Sequence, residues 1–534
     1  MVPGGGSKAK SSPDLECIVN VRARKTAYPN EEYRLIKSEL LTVQIQKIYS
    51  MLLSMSTGSV PTAAPLYLQI AQTLSRQVAS GTLRPGDRVP SLRRLSEQKR
   101  VSITTALQAY MWLENRGYLE ARPQSGFYVR TPFAKLIPEP QFAENKSQPI
   151  AAGHNTVLGE LLQAANDPKN VPFGYGCASP ELFPNRKLNL ILRHLVRQAP
   201  LHSARYDFPP GIEPLRRQIS RQLLEMGCEV CADEVVVTSG GLDAVNLSLR
   251  AVAKPGDVIA VESPTYFGIL ESIASLNMKV LEISTHPQGG MDLDQLERAI
   301  RKHQVKACVV MTNCHNPLGY VLSDQFKRAL VELTGRAGIP VIEDDLYGDL
   351  TFEGPRPYPA KAFDRKGLVL DCGSYSKVLS PGYRVGWVAG GRFRHEVERL
   401  KLITSVAVPS LSQRVIAEFL QSGGYARHIK RLRSTLAGQV EFVRQGIAKY
   451  FPQGTRISRP AGGYMLWVEL PSKINALKLY RAALEENISI LPGTIFSATG
   501  QYRNHIRINC GLGWSDVYDQ ALFTVAKLCE RIQS

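Results

Sequence analysis

The 534-residue sequence lacks a paired cysteine framework. Its nine cysteines are scattered and odd in number, and the one close couple, Cys228 and Cys231, has no second pair to complete a zinc site. That usage argues against a disulfide-stapled secreted fold, and a reducing cytoplasm is the expected compartment. Long apolar runs are missing as well. The stretch from Leu40 to Met55 carries Gln44, Gln46 and Lys47 and is too short and polar to cross a bilayer. Met1-Val-Pro-Gly-Gly-Gly-Ser has no apolar core of the kind a signal peptide uses, so neither export nor a membrane partner is expected. No internal repeat is visible, and low complexity is confined to the first dozen residues. Acidic charge is in short supply: 65 Lys and Arg face 47 Asp and Glu, a net +18 that leans toward an anionic partner. The length admits two or three domains with a large buried core.

Part of the basic excess is concentrated. Residues 65–130 hold ten Lys and Arg against four acids, leaving +6. The same stretch has a regular pattern. Pro65 to Gly81 places apolar residues at helical spacing with glycine as the stop, and Ser91 is a good N-cap for a second short helix. Ser102 can cap a third, running through Ile103-Thr-Thr-Ala-Leu-Gln-Ala-Tyr-Met-Trp-Leu-Glu to Gly117. Tyr118-Leu-Glu-Ala-Arg and Phe127-Tyr-Val-Arg then flank Pro-Gln-Ser-Gly, a hairpin with Gly126 at its tip. Three helices and a hairpin predict a winged helix-turn-helix, which lays its third helix in the DNA major groove. Charge alone reads equally as a solvated basic face; the pattern of elements argues for a phosphate-binding one.

Farther along, Ser374-Tyr-Ser-Lys-Val-Leu-Ser-Pro-Gly-Tyr-Arg384 places an amine and a guanidinium seven residues apart among turn-forming residues. Alone, the stretch also admits a solvated surface lysine. As a site, Lys377 offers an amine that condenses with an aldehyde, while Ser374 and Arg384 hold a phosphate, the combination that pyridoxal 5'-phosphate requires. Val341-Ile-Glu-Asp-Asp-Leu-Tyr begins as a buried parallel strand and puts Asp344 at its carboxyl end, either to pair with a pyridine nitrogen or to cap a helix. Tyr347 follows within reach of the ring hydroxyl. Val235-Val-Val-Thr-Ser-Gly-Gly-Leu reads as strand, glycine turn and helix; amides at Gly240 and Gly241 suit a phosphate. Asn316 precedes Pro317, which keeps it out of helix and leaves its amide free to donate to a phenolic oxygen.

With these motifs in this order, the chain from about Pro172 to its end resembles the fold type I aminotransferases, closest to their aromatic and 2-aminoadipate branch. The resemblance implies a large α/β domain with a mainly parallel sheet and a smaller α+β domain. It implies Lys377 as the amine that binds the cofactor aldehyde and Asp344 on the pyridine nitrogen. Asn316 and Tyr347 then serve the ring hydroxyl, and Ser374, Arg384, Gly240 and Gly241 the phosphate. Tyr266 matches the aromatic that stacks on the ring, with an ordinary core or interface tyrosine as the alternative there and at Tyr206. Tyr206 matches a tyrosine that reaches the phosphate of a neighbouring subunit, and Arg507 an arginine that clamps a substrate carboxylate. Leu242 departs from the pattern, standing where the family often has glutamine.

Residues 65–130 resemble the GntR family of bacterial regulators, which implies Arg93, Ser102, Thr104 and Thr105 as groove and phosphate contacts and Gly126 as the approach to the minor groove. Ile103 departs, standing where the family often has arginine. A GntR-like reader ahead of an aminotransferase-like body is the arrangement of the MocR subfamily, and the chain is identified as a member. The expected organisation is an extension over 1–64, with Met51 or Met55 as alternative starts or a docking helix, then the reader at 65–130, a linker at 131–171 and the body at 172–534. Three functions remain open on sequence. The favoured one is a cytoplasmic, nucleoid-associated regulator that binds a double-stranded DNA operator as a homodimer and senses a small amino compound through pyridoxal 5'-phosphate. The others are a working aminotransferase and a DNA-binding protein whose body only dimerises.

Overall fold

Apolar residues recurring on one face of three short helices build the first core. The computed structural model describes residues 65–533 apart from 80–81, 84–85, 116–117, 123–124, 130–136, 143–147, 154–155, 199–203 and 514. The expected extension over 1–64 lies outside the described residues, as do Gly81, Gly117, Pro123, Gln124 and about a third of the expected linker. Helices α1 (Leu66–Ala79), α2 (Leu92–Lys99) and α3 (Ile103–Asn115) are followed by strands β1 (Leu119–Arg122) and β2 (Gly126–Val129). Ile70, Ala71, Leu74, Leu95, Ala106, Ala109, Tyr110 and Leu113 close on Val89, Leu119 and Val129. Burying Tyr110 or Leu113 contributes roughly 2 kcal/mol each. Both predicted caps form: Ser91 Oγ accepts from the Arg94 amide at 3.3 Å, and Ser102 Oγ from that of Thr105 at 3.0 Å. The antiparallel hairpin sets Arg122 opposite Gly126, whose φ of +105° suits glycine.

The body alternates strand and helix. Its strands are β3 (Ile150–Ala151), β4 (Val235–Thr238), β5 (Val258–Ser263), β6 (Lys279–His286), β7 (Val305–Val310), β8 (Val341–Asp344), β9 (Val369–Ser374) and β10 (Gly386–Ala389). They order as β3-β6-β5-β7-β8-β9-β10-β4, with Gly290–Met291 hairpinned onto β6. β6, β5, β7, β8 and β9 run parallel; β10 is antiparallel to β9, and β4 antiparallel to β10. β4 therefore points the same way as the parallel five. The near-continuous burial of these strands is what a sheet covered on both faces demands. At Gly373 a Cβ would lie 2.0 Å from the Trp387 indole, which crosses the sheet there. Helix α4 (Gly241–Val252) leaves the end of β4.

A smaller unit completes the body. Helix α5 (Tyr425–Tyr450) leads into β11 (Arg456–Ile457), β12 (Met465–Glu469), β13 (Leu491–Pro492) and β14 (His505–Asn509), antiparallel in the order β11-β12-β14-β13, and helix α6 (Asp516–Gln533) closes it. Val440, Val443 and Ile447 of α5 pack with Trp467, Ile506 and Leu522 in one core. This is the expected large α/β domain with a smaller α+β domain.

Candidate functional site

Five strands of like direction end on one edge of the sheet, and the chain that succeeds each carries the predicted site residues. Gly240 and Gly241 follow β4, Tyr266 follows β5, Asn316 follows β7, Asp344 ends β8, and Ser374 ends β9 ahead of Lys377. Ligands of doubly wound folds bind at this edge. Arg507 comes from the smaller unit, on β14.

Asp344 is buried, and its Oδ1 has no hydrogen-bond partner. No helix starts at it; the short 3-10 turn Gly348–Leu350 begins later, so the helix-cap alternative fails. Burial pushes its carboxyl up to about 7, against a lowering hydrogen bond from the Leu346 amide. Its neighbour Asp345 is committed elsewhere, accepting from Arg356 Nη2 at 2.7 Å and Asn313 Nδ2 at 3.1 Å. The Oδ1 of Asn316 is likewise buried without a partner. Lys377 Nζ donates to the Gly176 carbonyl at 2.7 Å; burial draws its pKa down, Arg507 and Arg384 add to that, and Asp344 opposes it. Arg507 is fully buried, donates through Nη2 to the carbonyls of Gly174 and Tyr175 at 2.7 and 3.2 Å, and leaves Nε unpartnered. One backbone stretch, residues 174–176, thus accepts hydrogen bonds from both cations.

The anion side is built from small residues. Arg384 Nη2 donates to the Ser239 carbonyl at 2.8 Å and Nη1 to Ser376 Oγ at 3.4 Å. Ser374 Oγ is turned to Ser376 Oγ at 3.0 Å and the Val385 carbonyl at 3.1 Å, so Ser376 is the hydroxyl that meets the guanidinium. Gly240 has φ +95°, and a Cβ on it would come 2.7 Å from Arg384. Lys401, buried, holds Asp243 at 2.8 Å and Ser239 Oγ at 3.1 Å beneath the same turn. Tyr347, buried, and Tyr266, half-buried, are electrostatic neighbours of Asp344 and Arg507, and desolvation raises both phenols.

Lys377, Asp344, Arg507, Tyr266, Tyr347 and Arg384 therefore share one electrostatic neighbourhood. Tyr206 does not join it within the chain: it is 71 % exposed and lies 5.6 Å from Phe208 in ring separation. Leu242 is exposed. Sequence reasoning missed Ser376, Ser239, Lys401, the buried thiol of Cys177 beside Lys377, and the carbonyls of 174–176. The serine directly before Lys377 was the one available signal; the others depend on long-range contacts.

The residues fit pyridoxal 5'-phosphate. An acid whose free oxygen awaits a proton donor, an orphaned amide oxygen, an amine of lowered basicity and a glycine cradle beside Arg384 match the ring nitrogen, the ring hydroxyl, the aldehyde and the phosphate in kind. Among the described residues no helix is long and apolar enough to cross a membrane, and no group of three His, Cys, Asp or Glu is placed to hold a metal.

In the reader, Arg93 is exposed on α2 and Thr104 on α3. Ser102 is engaged as the cap, its hydroxyl also 2.8 Å from that of Thr105, and Gly126 lies against the Arg88 guanidinium, 3.5 Å from where its Cβ would be.

Comparison with known proteins matches residues 202–522 to aminotransferase class I and II and residues 66–129 to bacterial regulatory proteins of the gntR family. The chain is 39 % identical over 464 residues to YdcR of Escherichia coli, described as an uncharacterized HTH-type transcriptional regulator, covering 87 % of this chain and 99 % of YdcR. It is 28 % identical to the 2-aminoadipate transaminase of Thermus thermophilus, over 66 % of this chain and 88 % of the enzyme. Among solved structures it is similar to LysN, the α-aminoadipate aminotransferase of Thermus thermophilus complexed with N-(5'-phosphopyridoxyl)-L-leucine. The TM-score is 0.66 and the identity 25 %, over 71 % of this chain and 95 % of that one. A pyridoxal 5'-phosphate body of the class I and II aminotransferases thus follows a gntR reader, in register with regulators along almost their whole length, and the chain belongs to the MocR subfamily of GntR-type transcriptional regulators.

Proposed function

We propose that this regulator senses a small amino compound bearing a carboxylate and passes its occupancy to a paired DNA operator as a homodimer. The observation that carries the reading is the pair of orphaned buried polar atoms beside the amine of Lys377, Asp344 Oδ1 and Arg507 Nε, with Asn316 Oδ1 likewise orphaned beyond the end of β7. Unmet polar atoms in a buried place are costly, and a ligand that pairs with all of them explains their retention.

Pyridoxal 5'-phosphate, when bound, would supply an amine-reactive aldehyde and an electron-withdrawing ring. Asp344, through its unpartnered Oδ1, would hold a proton on the ring nitrogen. Tyr347 and Asn316 would orient the ring hydroxyl and Tyr266 would cover its face, while Arg384, Ser376 and the amides of Gly240 and Gly241 would receive the phosphate, with Ser374 holding Ser376 from behind. The guanidinium of Arg507 takes the effector carboxylate in a planar, paired contact. Lys377, released from the Gly176 carbonyl and poorly basic through burial, is placed to accept a proton. Tyr206, exposed on its own chain, serves the site of a second subunit. Arg93, Ser102, Thr104, Thr105 and Gly126 meet DNA, the protein works in the cytoplasm at the nucleoid, and the functional divisions fall at 65–130, 131–171 and 172–534, the later part of the linker docking on the body through β3 and Leu161.

The test is a titration of full-length, cofactor-loaded protein with amino acids, following the visible absorbance, and in parallel with 2-oxoglutarate, following ketoacid. Spectral change without sustained ketoacid supports sensing. Turnover at enzyme rates, about 1 per second or faster, supports the aminotransferase reading, which the presence of an amine, a ring-nitrogen acid and a carboxylate clamp also permits.

A further inference from the structure

Helix α3 carries two apolar faces. Ala106, Ala109, Tyr110 and Leu113 turn inward and are fully buried. Ile103, Leu107 and Met111, spaced one turn apart, turn outward and are 52, 37 and 49 % exposed. Thr104 and Gln108 are exposed on the row beside them. The helix, Ile-Thr-Thr-Ala-Leu-Gln-Ala-Tyr-Met-Trp-Leu-Glu-Asn, contains no lysine or arginine. The exposed cations are carried by the neighbouring elements instead: Arg93, Arg94 and Lys99 on α2, Arg100 at its end and Arg88 beside Gly126 of the wing.

An apolar, cation-free helix face in a domain whose neighbouring elements are basic matches one kind of surface in B-DNA. Phosphates flank the major groove, and within it the 5-methyl group of thymine is the single apolar feature that base edges present. Guanine O6 and N7 call for a guanidinium, which this helix does not have; an isoleucine against them would strip water from acceptors without replacing it. Glutamine pairs in two places with adenine N6 and N7.

Resting on the assignment of this domain as a DNA reader, we propose that α3 selects A·T pairs through thymine methyl groups, with Ile103 and Leu107 as the contacts and Gln108 taking an adenine. The cations fix the frame, and the specificity is apolar. Met111, one turn on, extends the same stripe.

The experiment starts with full-length, cofactor-loaded protein and a library of duplexes with a randomised centre. Bound duplexes are enriched and sequenced, and the best is remade with deoxyuridine in place of each enriched thymine, which removes the methyl group and leaves base pairing intact. We expect paired A·T-rich half-sites and a loss of affinity of about fourfold per methyl removed, the equivalent of one buried methylene. In Ile103→Ala the penalty for deoxyuridine at one position per half-site disappears, and Ile103→Arg shifts the preference there to guanine. Both changes are on an exposed side chain, and the unfolding transition of each variant checks that the reader is intact. G·C-rich half-sites, or equal affinity for thymine and deoxyuridine duplexes, would overturn the proposal while leaving DNA binding standing. The same holds if Ile103→Ala and Leu107→Ala alter the oligomeric state with base preference unchanged, which assigns the stripe to a second copy. Failure to retain any duplex at low salt would remove the DNA reading itself.

Discussion

Replacing Asp344 with asparagine should make the empty protein more stable and its hold on the cofactor weaker. In the fold the carboxyl titrates near 7 against 3.8 in a free chain, because burial penalises its charge. A folded-state value above the unfolded one favours folding while the group stays protonated. That contribution is complete below about pH 4 and is lost as pH rises through 7. Each tenfold change in proton affinity corresponds to about 1.4 kcal/mol, so the ionised group costs the empty fold about 4 kcal/mol at pH 8.5. Asparagine keeps the shape and cannot ionise. Other buried acids, Asp371 at about 8 among them, titrate in the same range, so the informative quantity is variant minus wild type, not either profile alone. Urea unfolding of the cofactor-free proteins should give a difference near zero at pH 4 that grows toward about 4 kcal/mol in favour of Asp344→Asn at pH 8.5. Adding pyridoxal 5'-phosphate should narrow that gap to about 2 kcal/mol at saturation. The variant loses a charge-assisted hydrogen bond to the ring nitrogen, about 2 kcal/mol or roughly thirtyfold in affinity, measured by absorbance titration. A variant no more stable than wild type at pH 8.5, or one that binds the cofactor equally well, would refute the reasoning.

Other consequences are as direct. Lys377→Ala should give no visible absorbance band with the cofactor and no borohydride adduct at that position, while peptide mapping of wild type finds one there. Arg507→Lys should weaken the spectral response to amino acids more than tenfold and leave cofactor affinity within about twofold, since a point charge cannot reproduce the planar paired contact. Gly373→Ala places a methyl group 2.0 Å from the Trp387 ring, and the body should lose about 3 kcal/mol or more, with the Trp387 emission moving toward that of exposed indole. Arg93→Ala should reduce the slope of log affinity for duplex DNA against log salt by about one without changing base preference.

Much of this architecture was written locally. The strand ending at Asp344 is an apolar run that stops at acids, and the β4 turn is announced by two glycines, so the edge of the sheet that gathers them follows from periodicity and direction. Both reader caps, Ser91 and Ser102, were legible because a cap is a contact three residues long. Contact across the chain was not legible. Whether Asp344 capped a helix or faced a ligand turned on the groups that surround it in space, and the commitment of Ser374 to the Val385 carbonyl, which leaves Ser376 to meet Arg384, is a property of the β9–β10 pair. Lys401 reaches Asp243 from 158 residues away, and no local pattern marks it. Tyr206 shows the limit from the other side: its exposure is a plain observation, and its meaning lies with a second molecule.

The hold of residues 174–176 on Lys377 and Arg507 gives the body a mechanical property. Those three carbonyls belong to the first segment of the body after the stretch that joins it to the reader, and the amide of Gly174 is tied to the Ser489 carbonyl of the smaller unit at 2.8 Å. An occupant that recruits the lysine and the arginine takes their protons away from this strap. The strap must then find new donors or shift, so the tether of the DNA-binding head is anchored to the part of the pocket that filling disturbs.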